Sequence, residues 1–121
     1  MNPLTRAEEE IMQQVWKLKG GFLREIVEAM PEPRPHQNTV ATLLKIMAEK
    51  GFIKIEPYGK RAFKYLPGIS RTEYSKGRVN SLVRRFYEGS FSNVVSAMVK
   101  DNNVSIEELE LLIKQLKKEN K

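Results

Sequence analysis

The sequence contains no cysteine, one histidine and one tryptophan. Without cysteine there is no disulfide, no thiolate metal ligand and no sulfur nucleophile. His36 alone cannot build a multi-histidine metal site, and it leaves little for acid–base chemistry. No apolar run approaches the roughly 18 residues of a membrane span. The N-terminus lacks the charged-then-apolar pattern of a secretion signal. Glu8, Glu9 and Glu10 cluster in a first helical turn, where acidic side chains favour the helix dipole, so they read as structural. These absences point to a cytoplasmic binding protein: no catalytic site, no metal, no cofactor and no direct membrane association.

What is present is charge of one sign, unevenly placed. The chain has 121 residues, enough for one domain or two very small ones, with 21 basic against 15 acidic side chains and a net charge of +6. Residues 1–33 carry 4 basic and 6 acidic groups, whereas residues 34–64 carry 7 and 2, and residues 68–99 carry 5 and 2. The excess is therefore central and lies on segments that fold. Such an excess suits a polyanion, because Lys and Arg gain by releasing counterions condensed on phosphates.

Thr5 and Glu8 form a capping box that opens a first helix, with Ile11, Met12, Val15, Trp16 and Leu18 as its apolar stripe and Gly20-Gly21 as its stop. A short second helix is expected at about Phe22 to Met30, broken by Pro31, Pro33 and Pro35. A third runs from His36–Asn38 to Gly51, burying Val40, Leu43, Leu44 and Met47. Its opposite face is short and polar, as a helix lying in a DNA groove requires. Two β-rich runs, Phe52–Glu56 and Ala62–Leu66, then flank a turn and read as a hairpin with the basic tip Tyr58-Gly59-Lys60-Arg61.

Three helices followed by a basic hairpin is the winged helix-turn-helix order. It predicts a mainly α fold with a small β-hairpin, in which the third helix enters the major groove of double-stranded DNA. The candidate contacts are Arg34, His36, Gln37, Asn38, Thr39, Ala41, Thr42 and Lys45 on the helix and its approach, and Tyr58, Gly59, Lys60 and Arg61 on the wing. Asn can bind adenine bidentately and a Thr methyl can pack on thymine, so Asn38 and Thr42 are the base readers, and Lys60 and Arg61 the phosphate contacts.

Pro67-Gly68 suggests a boundary between a DNA-binding domain at 1–67 and a helical region at 68–121. Capping boxes at Ser70/Glu73 and Ser105/Glu108 open two of its three helices. Their stripes include Val83, Phe86, Phe91, Val94, Val95, Met98, Leu109, Leu112, Ile113 and Leu116. So short a segment is marginal alone, and a second copy of the chain is the simplest cover, giving a homodimer.

Leu4-Thr5-Arg6-Ala7-Glu8-Glu9-Glu10-Ile11-Met12, with Val15-Trp16, resembles the opening L-T-x-x-E-x-x-I/V-M of the BlaI/MecI family of repressors. Asn38–Leu44, Glu49–Ile53 and Val104–Leu109 extend the resemblance over nearly the whole chain. It implies a homodimeric transcriptional repressor that binds a palindromic operator. It also implies a membrane sensor-protease whose activation leads to cleavage of the repressor. Two departures stand out. The cysteine metal motif of the copper-responsive branch is missing, and Ala97-Met98 occupies the place where classical members are cut at Asn–Phe. The competing expectation is a winged-helix protein-interaction module that does not touch DNA.

Overall fold

The computed structural model describes residues 3–119 of the chain. Among them lie α1 (Arg6–Leu18), β1 (Gly21–Phe22), α2 (Leu23–Ala29), α3 (Gln37–Glu49), β2 (Ile53–Tyr58), β3 (Ala62–Pro67), α4 (Arg71–Phe86), α5 (Phe91–Lys100) and α6 (Ile106–Glu119). The strands form one antiparallel sheet in the order β1-β3-β2. This is the winged helix-turn-helix architecture expected from the sequence. None of the described helices is long and apolar enough to cross a membrane.

The chain divides into two compact units, Met1–Tyr74 and Ser75–Lys121. Residues 68–74 thus go with the first unit, beyond the junction that Pro67-Gly68 suggested. The reason is packing: Ile69 and Tyr74 lie against the N-terminal core, and the Tyr74 ring sits 5.7 Å from both Trp16 and Phe52. Trp16 Nε1 donates to the Ile69 carbonyl at 2.9 Å. Gly68 donates to the Phe52 carbonyl at 2.7 Å, and a Cβ on Gly68 would come within 2.7 Å of the Gly51 carbonyl oxygen. The glycine is needed for close approach and does not mark a linker.

Met12, Val15, Ile26, Val40, Leu44 and Met47 are fully buried and join α1, α2 and α3 in one core, closed at the sheet by Phe52 and Ile53. α1 opens on the expected box: Thr5 Oγ1 accepts from Glu8 N–H, and Glu8 Oε1 accepts from Thr5 N–H at 2.8 Å. It ends one residue before the glycine pair, at Lys19 with φ 58°. Gly20 follows at φ 101°, where a Cβ would run into the Leu66 side chain.

β1 was not expected from the sequence. Two residues carry too little pattern to announce a strand, and this one exists because Gly21 and Phe22 pair with Tyr65 and Lys64 of β3. The hairpin is also longer than the sequence suggested. Pro57 and Tyr58 belong to β2, paired with Phe63 and Ala62, which leaves Gly59-Lys60-Arg61 as the turn. Proline is accommodated because β2 is an edge strand.

Glu8 does more than cap. Its carboxylate is buried and also accepts from Lys50 Nζ at 2.8 Å, tying the start of α1 to the C-cap of α3. Burial alone would raise its pKa, but the hydrogen bonds from Lys50 and Thr5 outweigh that and hold it below the ordinary glutamate value of 4.5. A depressed folded-state pKa contributes stability above the unfolded value that is lost as pH falls through the folded one. Glu8→Gln should therefore cost about 2 kcal/mol at neutral pH, because it leaves the largely covered Lys50 ammonium without its counter-charge. The penalty should shrink as pH falls below the ordinary glutamate range and through the depressed folded-state pKa, where the parent carboxylate is itself protonated. Urea titrations of both proteins across this range check it; a penalty independent of pH would refute the ionic account.

Candidate nucleic-acid interface

α3 has two chemistries on one cylinder. Val40, Leu44 and Met47, at i, i+4 and i+7, are fully buried against α1 and α2. Asn38, Thr42, Lys45 and Glu49 fall on the opposite side, and Asn38, Thr42 and Lys45 are exposed there. Burial of the first set therefore dictates the outward aim of the second. Gln37 and Thr39 are also exposed, and Ala41 is half-buried at the edge.

His36 is the N-cap of α3, its Nδ1 accepting from Asn38 N–H at 3.0 Å. That assignment leaves Nε2 as the ring's donor, on an exposed residue beside the first turn of α3. Thr42 Oγ1 donates to the Asn38 carbonyl at 2.9 Å. The hydroxyl proton is thus spent inside the helix, and the methyl group remains for an apolar contact. Arg34 is exposed, with Nε making a long 3.4 Å contact to the Met30 carbonyl at the end of α2.

Gly59, Lys60 and Arg61 form the exposed turn of the hairpin. Gly59 has φ 71°, a left-handed conformation that favours glycine in so tight a turn. Tyr58 is exposed at the end of β2, its ring edge-on to Phe22 at 5.2 Å. All twelve candidate contacts lie in the first unit, on α3, on its approach or at the hairpin end. Lys50, which shares the central charge excess, is engaged by Glu8. The Glu8–Lys50 pair joins residues 42 positions apart, and no local spacing signals it.

The second unit presents a different surface. Phe86 (68% exposed), Phe91 (53%), Leu112 (50%) and Leu116 (48%) stand largely open, as do Val95, Met98 and Ile113. Val94 and Leu109 are half-buried. Val83 departs from the expectation. It is 1% exposed within a single chain, so its side chain is already covered and is not free to meet a second copy. Val79 and Leu82, which the sequence places on one α4 stripe with Val83 and Phe86, are exposed, as are Ile106 and Leu111.

Ala97 and Met98 lie inside α5, whose N-cap Ser90 accepts from Asn93 N–H at 3.2 Å. Their carbonyls accept from Asp101 N–H and Asn103 N–H, both at 3.0 Å. The peptide between them is helical and hydrogen-bonded.

A family model described as the penicillinase repressor matches residues 4–118. Among curated proteins, the penicillinase repressor of Bacillus licheniformis is 27% identical over 107 residues, 88% of this chain and 83% of that protein. The methicillin resistance regulatory protein MecI of Staphylococcus aureus (strain N315) is 25% identical over 110 residues, 90% and 89% of the two chains. Among solved structures, the complex structure of hsRosR-S4 superposes with a TM-score of 0.54 at 15% identity, covering 83% of this chain and 90% of that one. A cysteine-to-serine mutant of MarR from E. coli gives 0.50 at 16% identity, over 98% and 79%. These two likenesses are of fold. With the family match running through both units, the chain belongs to the penicillinase repressor (BlaI/MecI) family of transcriptional regulators.

Proposed function

We propose that this chain is a cytoplasmic transcriptional repressor that binds a palindromic operator as a homodimer. The observation that carries the reading is α3, whose buried stripe leaves Asn38, Thr42 and Lys45 facing outward in a unit whose hairpin ends in the basic turn Lys60-Arg61. Asn38 and Thr42 read base edges in the major groove, His36 Nε2 and Lys45 meet phosphate, and the wing holds the register. Each half-site then receives one α3. The exposed stripes of α4, α5 and α6 pair two chains, and the second half-site is bound at high effective concentration.

Release follows from the same arrangement. Cleavage within α5, at or near Ala97-Met98, would detach α6 and its apolar stripe from each subunit. A protease reads an extended chain, so the hydrogen bonds at the Ala97 and Met98 carbonyls must first open. A membrane sensor-protease is the partner this scheme requires.

On duplexes selected by the full chain from a random pool, Asn38→Ala and Thr42→Ala should each weaken specific binding by about 1–3 kcal/mol and relax preference at one base pair per half-site. Lys60→Ala with Arg61→Ala should weaken all sequences alike and reduce the log K against log salt slope by up to about 3.6 per dimer. A chain that selects no DNA, but pulls down a protein through the same face, would make the winged domain an interaction module instead.

Leu112→Lys with Leu116→Lys places four like charges in the paired stripe. Sedimentation should show the parent as a dimer at micromolar concentration and the variant as a monomer. The variant's binding should fall by about 100-fold or more once bivalency is lost. A parent that sediments as a monomer would end the dimer reading.

A further inference from the structure

The register of the hairpin pairs Ile53 with Pro67, Ile55 with Tyr65 and Pro57 with Phe63, which sets these side chains on one face of the sheet. At the root that face closes the core: Ile53 is buried and Tyr65 packs against the core cluster. Farther out the same apolar face continues past the core and opens to solvent. Ile55 is 37% exposed, Phe63 is 52% exposed, and Pro57 opposite it is exposed as well. Two residues beyond Pro57 the chain enters the Gly59-Lys60-Arg61 turn, and no acidic side chain occurs between Pro57 and Phe63. Glu56 projects from the opposite face, in register with Lys64.

A hairpin end that only touched phosphate would need its cations and no phenyl ring. One that docked on an apolar protein surface would gain little from Lys60 and Arg61 at its tip. An apolar side chain flanked by Lys and Arg is the combination with which proteins enter a minor groove, the cations meeting phosphate while the apolar group presses between base steps.

We propose that Phe63, backed by Pro57, is a wedge that packs into the minor groove beside each half-site and selects the flanking DNA by how easily its base steps unstack. The inference rests on the operator-binding reading above. Its occupant is DNA, by charge complementarity with the basic turn and by the apolar chemistry of the overhanging face. Pyrimidine–purine steps such as TA yield most readily, and A-tracts resist, so the wing should favour a TA step at the flank.

The test uses the full-length chain and its selected duplexes, with 2-aminopurine at the flanking step and with TA or A-tract flanks. The parent should raise 2-aminopurine fluorescence on binding and prefer the TA flank by about tenfold. Phe63→Ala should abolish the rise and reduce the preference to less than about twofold, with the salt slope unchanged, since no charge is removed. Phe63→Leu should restore most of both. Because Phe63 is half-exposed, the thermal midpoint of Phe63→Ala should match the parent, so the loss cannot be assigned to unfolding. A Phe63→Ala chain that keeps the parent's flank preference and fluorescence change overturns the wedge and leaves operator binding standing. Loss of self-association in place of flank preference would assign the face to a protein contact and overturn it too. A parent that binds no DNA removes both readings together.

Discussion

Among the described residues there is one well-buried core, and it lies before Gly68. Among the described residues, every buried apolar side chain except Val83 comes from α1, α2, α3, their approaches and the root of the hairpin. A helix is stable where its apolar stripe is covered, so this distribution divides the molecule by obligation. The first unit can spend its stripes internally and free one face of α3. The second unit has stripes of the same kind and covers little of them. Both proposed surfaces, the outer face of α3 and the open stripes of the second unit, descend from that inequality.

Within the first unit, the outward aim of α3 is a by-product of packing. Val40, Leu44 and Met47 leave the helix no rotational freedom, since turning it by one residue would expose a buried apolar side chain worth about 1.5–3 kcal/mol. The two ends are held separately. His36 satisfies an orphan amide at the N-terminus, and Lys50 at the C-cap reaches the Glu8 carboxylate. A polar face held at both ends and along its back is preorganised for recognition, so little ordering remains for the moment of binding.

Much of this was legible in the sequence, and what was not shares a cause. Capping boxes, the stripe of α3 and the β-branched and aromatic runs of the hairpin are local signals, and the six helices and the wing follow from them. β1 escaped because its two residues are strand only by virtue of β3. Pro57 reads as a turn residue until its strand is known to be an edge. The Glu8–Lys50 pair and the attachment of residues 68–74 to the first unit depend on neighbours distant in sequence. The candidate contacts on α3 were accessible because a helix of known stripe has a known back. The apolar underside of the wing needed the strand register, which the longer β2 and β3 supply.

Three glycines mark how this scaffold can change over evolutionary time. Gly20 and Gly68 are hemmed in, one by Leu66 and the other by the Gly51 carbonyl, so the roots of the sheet admit neither a side chain nor a shift in spacing without disturbing the core. Gly59 has open space around it, and a Cβ there would meet nothing within 4 Å. Its left-handed φ restrains the residue type, but no neighbour crowds a side chain at this position. The residue composition at the end of the wing, and with it the proposed contact to flanking DNA, can therefore change while the frame that carries α3 stays as it is.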